Sequence, residues 1–315
     1  MPPMPTTDPA ARRRTLPADA RITFDPAASD GWPLRRFSRA GAGRGALMFQ
    51  GGRGDVFEKY LEALGDWHDR GWAVTAFDWR GQGGSGRLCA DPHVGHCDDF
   101  APWIDDLAGV WRAWTARHDG PHVIVGHSMG GYLALRALLD GVIRADAVVL
   151  VAPMLGLRSP VGAWVGGRVA RTMRRHGDPA RPAWKSHERP GRLARQALLT
   201  ADDARYADEA WWLDANPVLR LGPPSWAWLD EAFVATARLR ADPALATLTT
   251  PVLMLVAEDD RLVDPRAAAQ VAGRLPDATL VQFGKGAAHE LLREADPVRG
   301  RAMAAIDDFL ARHAA

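Results

Sequence analysis

The residues best suited to chemistry form the pattern G-x-S-x-G in GHSMG (126–130). The residues before Ser128, HVIVGH (122–127), are mostly apolar and β-branched, whereas those after it carry leucine and alanine at helical spacing. A sharp strand-to-helix turn lifts its hinge side chain above the sheet, and the helix N-terminus stabilises developing negative charge. We therefore predict that Ser128 is a nucleophile, the alternative being a glycine-rich turn with a solvated serine.

Serine needs a base and an orienting carboxylate before it attacks at neutral pH. Asp259 and Asp260 lie just past the apolar run VLMLVA (252–257), and His289 lies in a loop of small residues after ATLVQF (278–283). The order nucleophile, carboxylate, histidine suits a serine hydrolase built on a parallel sheet. As structural alternatives, Asp259 or Asp264 caps the following turn or helix, and His289 is a surface histidine.

The negative oxygen formed on attack needs backbone donors. The N–H of Met129, directly after the nucleophile, is one candidate. The second is expected in the glycine-rich loop GGRG (51–54), where Arg53 and Gly52 both remain candidates.

Apolar runs alternate with helical patterns along most of the chain, as in a parallel sheet flanked by helices. Asp55, Asp99 and Asp264 stand where helix N-caps are expected. The predicted strands are 33–40, 46–50, 72–79, 122–127, 146–152, 252–257 and 278–283. The predicted helices are 55–70, 99–118, 129–140, 266–274 and 297–313.

This alternation stops between about 155 and 245, which we interpret as a helical insertion. The sequence then divides into a flexible tail (1–25), a first core segment (26–154), a helical cap (155–245) and a second core segment (246–315).

Composition excludes several classes of protein. The net charge of +1 and the lack of a binding motif argue against nucleic acid as a partner. The N-terminus lacks the apolar stretch of a secretory signal, and no run approaches roughly 18 apolar residues. Two cysteines are too few for a disulfide framework, so we expect a cytoplasmic protein. HVGHC (93–97) contains zinc-ligand residue types at no standard spacing, and we expect neither a metal nor a cofactor.

Several segments resemble the α/β-hydrolases, and within them the bacterial lysophospholipases and monoacylglycerol lipases described as serine aminopeptidase-like. The matching segments are QGGRGDVFEKYLE (50–62), FDWRGQGGSGR (77–87), VGHSMGG (125–131), APMLGL (152–157), AEDDRLVD (257–264) and GAAHE (286–290). The resemblance implies an α/β-hydrolase fold, with a mostly parallel sheet flanked by helices and a helical cap inserted after the sixth strand.

The resemblance also implies that the carboxylate is Asp260, directly before the arginine of DDRLVD, and not Asp259. The chain departs from the animal monoacylglycerol lipases at the oxyanion loop, where Gln50-Gly51 stands in place of His-Gly. An extra glycine at Gly51 or Gly52 leaves the second oxyanion donor open between Gly52 and Arg53.

The predicted cap is rich in tryptophan and arginine. Aromatic side chains suit a slot for an acyl chain, although a small helical cap also needs a core of its own. The candidates for substrate binding are Trp164, Trp211, Trp212, Trp226 and Trp228. Residues 158–205 hold ten arginines and Lys185 against four acidic residues, a local net charge of +7 that would favour an anionic lipid surface. An arginine-rich composition is the alternative reading.

The sequence therefore predicts a serine carboxylic-ester hydrolase (EC 3.1.1) that releases fatty acid from a lysophospholipid or a monoacylglycerol through an acyl-enzyme. Peripheral contact with the inner membrane is expected from the cap charge. The alternatives are a small-ester esterase or peptidase of the same fold, and a binding protein without activity on the same scaffold. The sequence leaves the head group, acyl length and oligomeric state open.

Overall fold

The computed structural model describes residues 9–25, 30–184 and 192–314. Its centre is one eight-stranded sheet in the order β1-β2-β4-β3-β5-β6-β7-β8. Strand β2 pairs antiparallel with both β1 and β4, and the remaining neighbouring strands pair parallel. The strands are β1 (Arg21–Asp25), β2 (Leu34–Arg39), β3 (Ala46–Gln50), β4 (Ala73–Phe77), β5 (His122–His127), β6 (Ala147–Val151), β7 (Val252–Ala257) and β8 (Ala278–Phe283).

Helices cover both faces of this sheet and form the insertion. The α-helices are α1 (Pro9–Arg14), α2 (Leu61–Asp69), α3 (Ala101–Thr115), α4 (Met129–Leu139), α5 (Ala163–His176), α6 (Arg192–Leu199), α7 (Asp203–Ala215), α8 (Trp226–Ala241), α9 (Pro265–Ala272) and α10 (Asp296–His313). Short 3₁₀ helices lie at Phe57–Tyr60, Pro217–Leu219, Pro243–Thr247 and Leu291–Arg293. In the part of the chain that the structure describes, every helix is too short or too polar to cross a bilayer.

The central strands bury side chains on both faces, which explains their continuous apolar sequence. On β3, Leu47 joins one hydrophobic cluster and its neighbour Met48 joins the other. The first cluster extends to Leu64 of α2 and Ile306 of α10, and the second to Leu133 of α4. This two-sided core holds the carboxyl ends of the parallel strands at one edge, where the predicted site residues lie.

The seven strands predicted from sequence are all present, and the helical insertion follows β6 as the resemblance implied. This is the α/β-hydrolase architecture. Helices α5 to α8 lie between β6 and β7, within the segment predicted as a cap.

The prediction of a flexible tail over 1–25 is wrong for the residues described. Residues 9–14 form α1, and β1 pairs antiparallel with β2. Arg12 binds Asp69 of α2 at 2.7 Å, and Arg14 binds Asp208 of α7 at 2.6 Å. The arginines that suggested a solvated tail are ion-pair partners of two distant helices, and sequence spacing does not reveal such pairs. Residues 1–8 lie outside the described part of the chain.

The three predicted N-caps have different outcomes. Asp264 caps α9 and accepts a hydrogen bond from the Arg266 N–H, as predicted. Asp99 accepts from the Ala101 N–H, although Phe100 is the N-cap residue of α3. Asp55 is not a cap: it is buried and turned towards the nucleophile turn, where it binds other side chains.

Candidate active site

The nucleophile turn places Ser128 between β5 and α4 in a strained conformation. Its φ is 51° and its ψ is −118°, a backbone region that non-glycine residues rarely adopt. A Cβ at Gly126 would lie 2.7 Å from the Gly130 carbonyl oxygen, so the turn requires glycine there. The Ser128 N–H donates to Val151 O at 3.0 Å and thereby ties the turn to β6. The side chain is partly exposed, as expected of a nucleophile.

Asp260 and His289 are joined by a hydrogen bond of 2.6 Å between Asp260 Oδ2 and His289 Nδ1. The other carboxylate oxygen, Oδ1, accepts from the N–H groups of Leu262 and Val263 at 2.8 and 3.0 Å. Asp260 is 1% exposed, whereas its neighbour Asp259 is exposed. The loop after β7 therefore presents Asp260, not Asp259, to the histidine.

Electrostatics favour the charge pair between these two side chains. Burial alone would raise the pKa of Asp260, but the imidazole of His289 and two backbone N–H groups lower it. Burial alone would lower the pKa of His289, but Asp260 and the more distant Glu290 and Asp55 raise it. The pair is thus arranged to stabilise an imidazolium at His289.

The loop after β3 passes close to the serine. A Cβ at Gly52 would lie 3.3 Å from Ser128 Oγ and 2.9 Å from Ser128 Cβ, so this position accepts only glycine. The Gly52 N–H donates to Asp55 Oδ2 at 2.7 Å. Within the described ranges, no acceptor lies at the Arg53 N–H. Met129 is the first residue of α4, where a backbone N–H has no partner inside the helix.

The five tryptophans predicted to bind substrate differ in exposure and in their partners. Trp212 is buried and donates to Arg13 O of α1 at 2.9 Å, and its neighbour Trp211 is 40% exposed. Trp164 is 74% exposed, and Trp226 is partly buried. Trp228 lies next to the loop after β3, with the Arg53 guanidinium 5.6 Å from its ring centre.

The segment HVGHC has structural partners. His96 Nδ1 lies 2.9 Å from Ser225 Oγ, and Cys97 is buried in the core. Over the residues that are described, no three His, Cys, Asp or Glu side chains come together as metal ligands would.

The strained serine turn and the Asp260–His289 pair follow the pattern of a serine hydrolase. A family model described as serine aminopeptidase, S33, matches residues 41–296.

The chain belongs to this family of α/β-hydrolases.

Individual relatives of this hydrolase have lipase names. Lysophospholipase L2 of Escherichia coli K12 is 32% identical over 280 residues, which cover 83% of this chain and 79% of that protein. Probable lysophospholipase L2 of Haemophilus influenzae is 28% identical over 277 residues, covering 85% and 84%. Among solved structures, a soluble variant of the monoglyceride lipase of Saccharomyces cerevisiae has a TM-score of 0.76 at 17% identity, covering 95% of this chain and 97% of that one. At that identity the structural likeness supports the fold alone.

A surface cleft of about 370 Å³ borders the histidine loop of this hydrolase. It lies between the end of α6 and the loops that carry Asp260 and His289, and it is lined by residues that include Leu198, Asp259, Arg261 and Gly286. Ser128 does not line this cleft, so we do not assign it to the substrate.

Sequence reasoning missed a buried group of charges beneath the site. Lys59, Glu209, Glu290 and Arg293 are all less than 9% exposed, and Asp55 lies among them. The available signal was compositional: this arginine-rich chain contains three lysines, and one of them, in FEKY (57–60), stands in a short apolar stretch.

Proposed function

We propose that this hydrolase cleaves the ester bond of a single-chain acyl lipid through an acyl-enzyme on Ser128. The observation that carries this proposal is the 2.6 Å hydrogen bond between Asp260 and His289 on the loops after β7 and β8, at the edge where the strained Ser128 turn ends β5. The lysophospholipase names of the relatives support a lipid substrate.

The reaction follows from the roles of these groups. His289 donates its Nδ1–H to Asp260, which leaves Nε2 as the acceptor of the Ser128 hydroxyl proton. Ser128 Oγ then bonds to the acyl carbonyl carbon, and the resulting tetrahedral intermediate expels the alcohol as it takes the proton from His289. Water, deprotonated by His289, releases the fatty acid in the same way. The mechanism uses no metal and no cofactor.

We assign the oxyanion donors to the backbone N–H groups of Met129 and Arg53. The bond from the Gly52 N–H to Asp55 favours Arg53 over Gly52, because a donor already bound to a carboxylate is not free for the substrate.

The side chain of Arg53 supports a lysophospholipid over a monoacylglycerol. Its guanidinium donates to Gly222 O at 2.9 Å and lies over Trp228, but in the described ranges it has no carboxylate partner. Burial and the nearby Arg195 lower the pKa of Arg53 to about 10, although Asp55 opposes this. A partly buried cation without an anion is stabilised by an anionic ligand.

The covalent geometry of the substrate is compatible with this assignment. In a 1-acyl lysophospholipid, the acyl carbonyl carbon and the phosphorus are separated by as many bonds as the Arg53 amide nitrogen and its guanidinium carbon. When the carbonyl oxygen of such a substrate binds the Arg53 N–H, its phosphate can therefore extend to the guanidinium of the same residue.

We also propose that α5 contacts an anionic membrane surface. Gly166, Gly167 and Ala170 face the rest of the cap, whereas Trp164, Val165 and Val169 are exposed. Arg168 and Arg175 are exposed on the same helix, and among the described residues neither has a carboxylate partner. Exposed apolar groups beside free arginines suit the interface between lipid head groups and acyl chains.

Pairing reduces the charge that the sequence alone suggests for this surface. Arg171 and Arg174 approach Asp230, Arg195 binds Glu209, and Arg205 binds Glu62. Lys185 and Arg189 lie outside the described residues. The membrane proposal therefore rests on α5 and not on the whole basic segment. Flotation with phosphatidylglycerol vesicles tests it: combined Trp164→Ala and Arg168→Ser changes should weaken binding, and equal flotation of variant and wild type would contradict the proposal.

The deciding assay is release of fatty acid from a lysophospholipid and from a monoacylglycerol of equal chain length. We expect Ser128→Ala to lower kcat by about 10⁶-fold. Arg53→Met keeps the backbone donor and should lower the ratio of kcat/KM for lysophospholipid over monoacylglycerol by about tenfold or more. The exposed Arg312→Met is the control. An unchanged ratio would remove the phosphate role of Arg53 and leave the ester hydrolase intact.

A second candidate, hydrolysis of small esters or N-terminal peptide bonds, is supported by the family's description as serine aminopeptidase. It would be favoured if neither lipid released fatty acid while a p-nitrophenyl ester or an aminoacyl anilide gave Ser128-dependent product. A protein without any Ser128-dependent turnover would instead be a binding protein on this scaffold.

A further inference from the structure

A buried lysine lies at the centre of a charge cluster beneath the candidate active site. Lys59 Nζ lies 2.6 Å from Asp55 Oδ1, 2.5 Å from Glu290 Oε1 and 3.3 Å from Glu209 Oε2. Its side chain is 4% exposed, and those of its three partners are 7% exposed or less. One ammonium group therefore compensates the charge of three buried carboxylates.

Two arginines balance the remaining charge. Arg293 binds Glu290 and lies 3.6 Å from Glu209 Oε2, and Arg195 binds Glu209 Oε1 at 2.7 Å. Three cations thus face three carboxylates, which is the condition for keeping such charges buried. We call the group formed by Asp55, Lys59, Glu209, Glu290 and Arg293 the buried charge cluster; Arg195, whose side chain is 43% exposed, binds Glu209 from its edge.

The carboxylates of the buried charge cluster lie on segments that carry the reacting groups. Glu290 directly follows His289. Asp55 accepts the Gly52 N–H at 2.7 Å, and so anchors the loop whose next residue, Arg53, is the proposed oxyanion donor.

Asp55 also reaches the nucleophile turn. His127, which directly precedes Ser128, has its Nδ1 3.1 Å from Asp55 Oδ2 and 2.9 Å from the Tyr60 hydroxyl oxygen. His127 Nε2 lies 3.4 Å from His289 O, so the nucleophile turn and the histidine loop touch at the same place. The third carboxylate, Glu209, belongs to α7 of the insertion.

The charges in this cluster are mutually dependent. Burial alone would lower the pKa of Lys59, but Asp55, Glu209 and Glu290 raise it above its usual value. Burial alone would raise the pKa of Asp55, but Lys59 and the hydrogen bond with His127 hold it well below its usual range. Without Lys59, Asp55 and Glu290 would lose their shared cation while the segments they anchor still had to approach each other.

We propose that Lys59 is a positioning residue of the active site, which holds the oxyanion loop, the histidine loop and α7 in register through Asp55, Glu290 and Glu209. It touches no reacting atom. A hydrophobic replacement can match the stability of a buried ion pair, so stability alone does not explain a lysine here. The lysine is explained by the three segments that it connects.

The test compares Lys59→Met with Lys285→Met, the same change at an exposed lysine in the histidine loop. This inference rests on the proposed hydrolase activity. Both variants are therefore assayed with a p-nitrophenyl ester for which wild-type turnover depends on Ser128. Misplacement of reacting groups by small distances costs about 10²-fold in rate, and we expect a loss of kcat of that order for Lys59→Met alone.

The pH profile separates positioning from a general loss of folded protein. The titratable groups that face His289 are Asp260, Glu290, Asp55 and His127. His289 must be neutral to accept a proton, so activity rises with pH through its pKa. Loss of Lys59 removes the cation next to Asp55 and leaves Glu290 with Arg293 alone, and should move this midpoint upward by about one pH unit. Glu290→Gln removes a charge that raises the pKa of His289 and should move the midpoint downward.

The double variant Lys59→Met with Glu290→Gln should regain part of the lost kcat, because it again removes charges in a pair. If Lys59→Met does not fold, the Glu290→Gln variant tests the proposal instead. The pH midpoint of its activity should move downward, and an unchanged midpoint would overturn the proposal. A Lys59→Met enzyme that matches Lys285→Met in kcat and midpoint also overturns it. Absence of Ser128-dependent turnover in the wild type would instead contradict the proposed function.

Discussion

Helices α7 and α5 belong to the same arginine-rich insertion, but α7 carries buried charges that are paired, whereas α5 carries exposed arginines that lack a carboxylate partner among the described residues. On α7, Asp208 and Glu209 are buried and each binds two or more cations. On α5, Arg168 and Arg175 are exposed, and within the described chain they have no carboxylate partner. The two helices also differ in composition: α5 carries four arginines and no acidic residue, whereas α7 carries one arginine and four acidic residues. What each helix faces then decides which of these charges are paired.

The physical cause is desolvation. A charge removed from water costs several kcal/mol unless a partner compensates it. Helix α7 contacts α1 and the 3₁₀ helix at Phe57–Tyr60, so its buried acidic side chains, Asp208 and Glu209, must be paired. Helix α5 packs one face on α8, where Gly166 and Gly167 approach Phe233, whereas Arg168 and Arg175 stay in water at little cost. Arginine counts alone therefore do not measure the charge available to a membrane.

The largest effect on the free energy of unfolding is expected from removing a buried charge on α7. Glu209→Ala leaves Arg195 and part of Lys59 unpaired, and should lower the free energy of unfolding by about 3 to 5 kcal/mol. Urea denaturation at neutral pH measures this loss. A loss below about 1 kcal/mol, the range of exposed pairs, would remove the distinction between the two helices.

The same variant has a pH signature. Burial alone would raise the pKa of Glu209, but Lys59, Arg195 and Arg293 lower it to about 2. Because the folded pKa lies below the unfolded value of about 4.3, the stabilisation is complete above that value and is lost as pH falls towards 2. The stability gap between wild type and Glu209→Ala should therefore narrow between about pH 4 and pH 2.

An intermediate effect is expected where α1 binds α7. Asp208→Asn removes the charge that Arg13 and Arg14 share, and should cost about 2 kcal/mol because hydrogen bonds to charged groups exceed neutral ones. Asp214→Asn on the same helix is the matched control. Its pair with Arg220 is 75% exposed on the aspartate side, so we expect a change within about 0.5 kcal/mol. Equal losses of unfolding free energy for the two variants would show that the ion pairs between α1 and α7 do not stabilise the fold.

The smallest effect on stability is expected on α5. Trp164 is 74% exposed, and Trp164→Ala should change the free energy of unfolding by no more than about 0.5 kcal/mol. Trp212→Ala on α7 removes a side chain that is 7% exposed and should cost about 3 kcal/mol or more. A thermal melt of both variants compares the same substitution on the two helices. A large loss at Trp164 would mean that α5 is part of the packed structure and not a free surface.

The sheet and the main reacting groups were predictable because their signals are local. Strands buried on both faces are continuous apolar runs, so β3 to β7 could be recognised in the sequence. Strands β2 and β8 are only partly buried, and they were predicted from shorter apolar patterns. Strand β1 was missed because its sequence, RITFD, is half polar and lies at the sheet edge. The serine turn needs glycine at fixed spacing, which a short pattern records completely.

The predictions that failed or stayed open all depend on distant contacts. Asp55 looks like an N-cap because a cap is the ordinary use of an aspartate before a helix. Only the fold brings it to Lys59 and His127. The tryptophans of the insertion suggest one apolar slot, but Trp212 instead packs against α1, a segment expected to be flexible.

The sequence by itself determined the α/β-hydrolase family, the serine turn and the place of the insertion, because each depends on residues that are neighbours along the chain. Only the tertiary structure decided that Gly52, and not Arg53, gives its N–H to Asp55, and which of the described arginines lack a carboxylate partner. These are choices between adjacent or similar residues, and what separates them is burial and pairing with partners far along the chain.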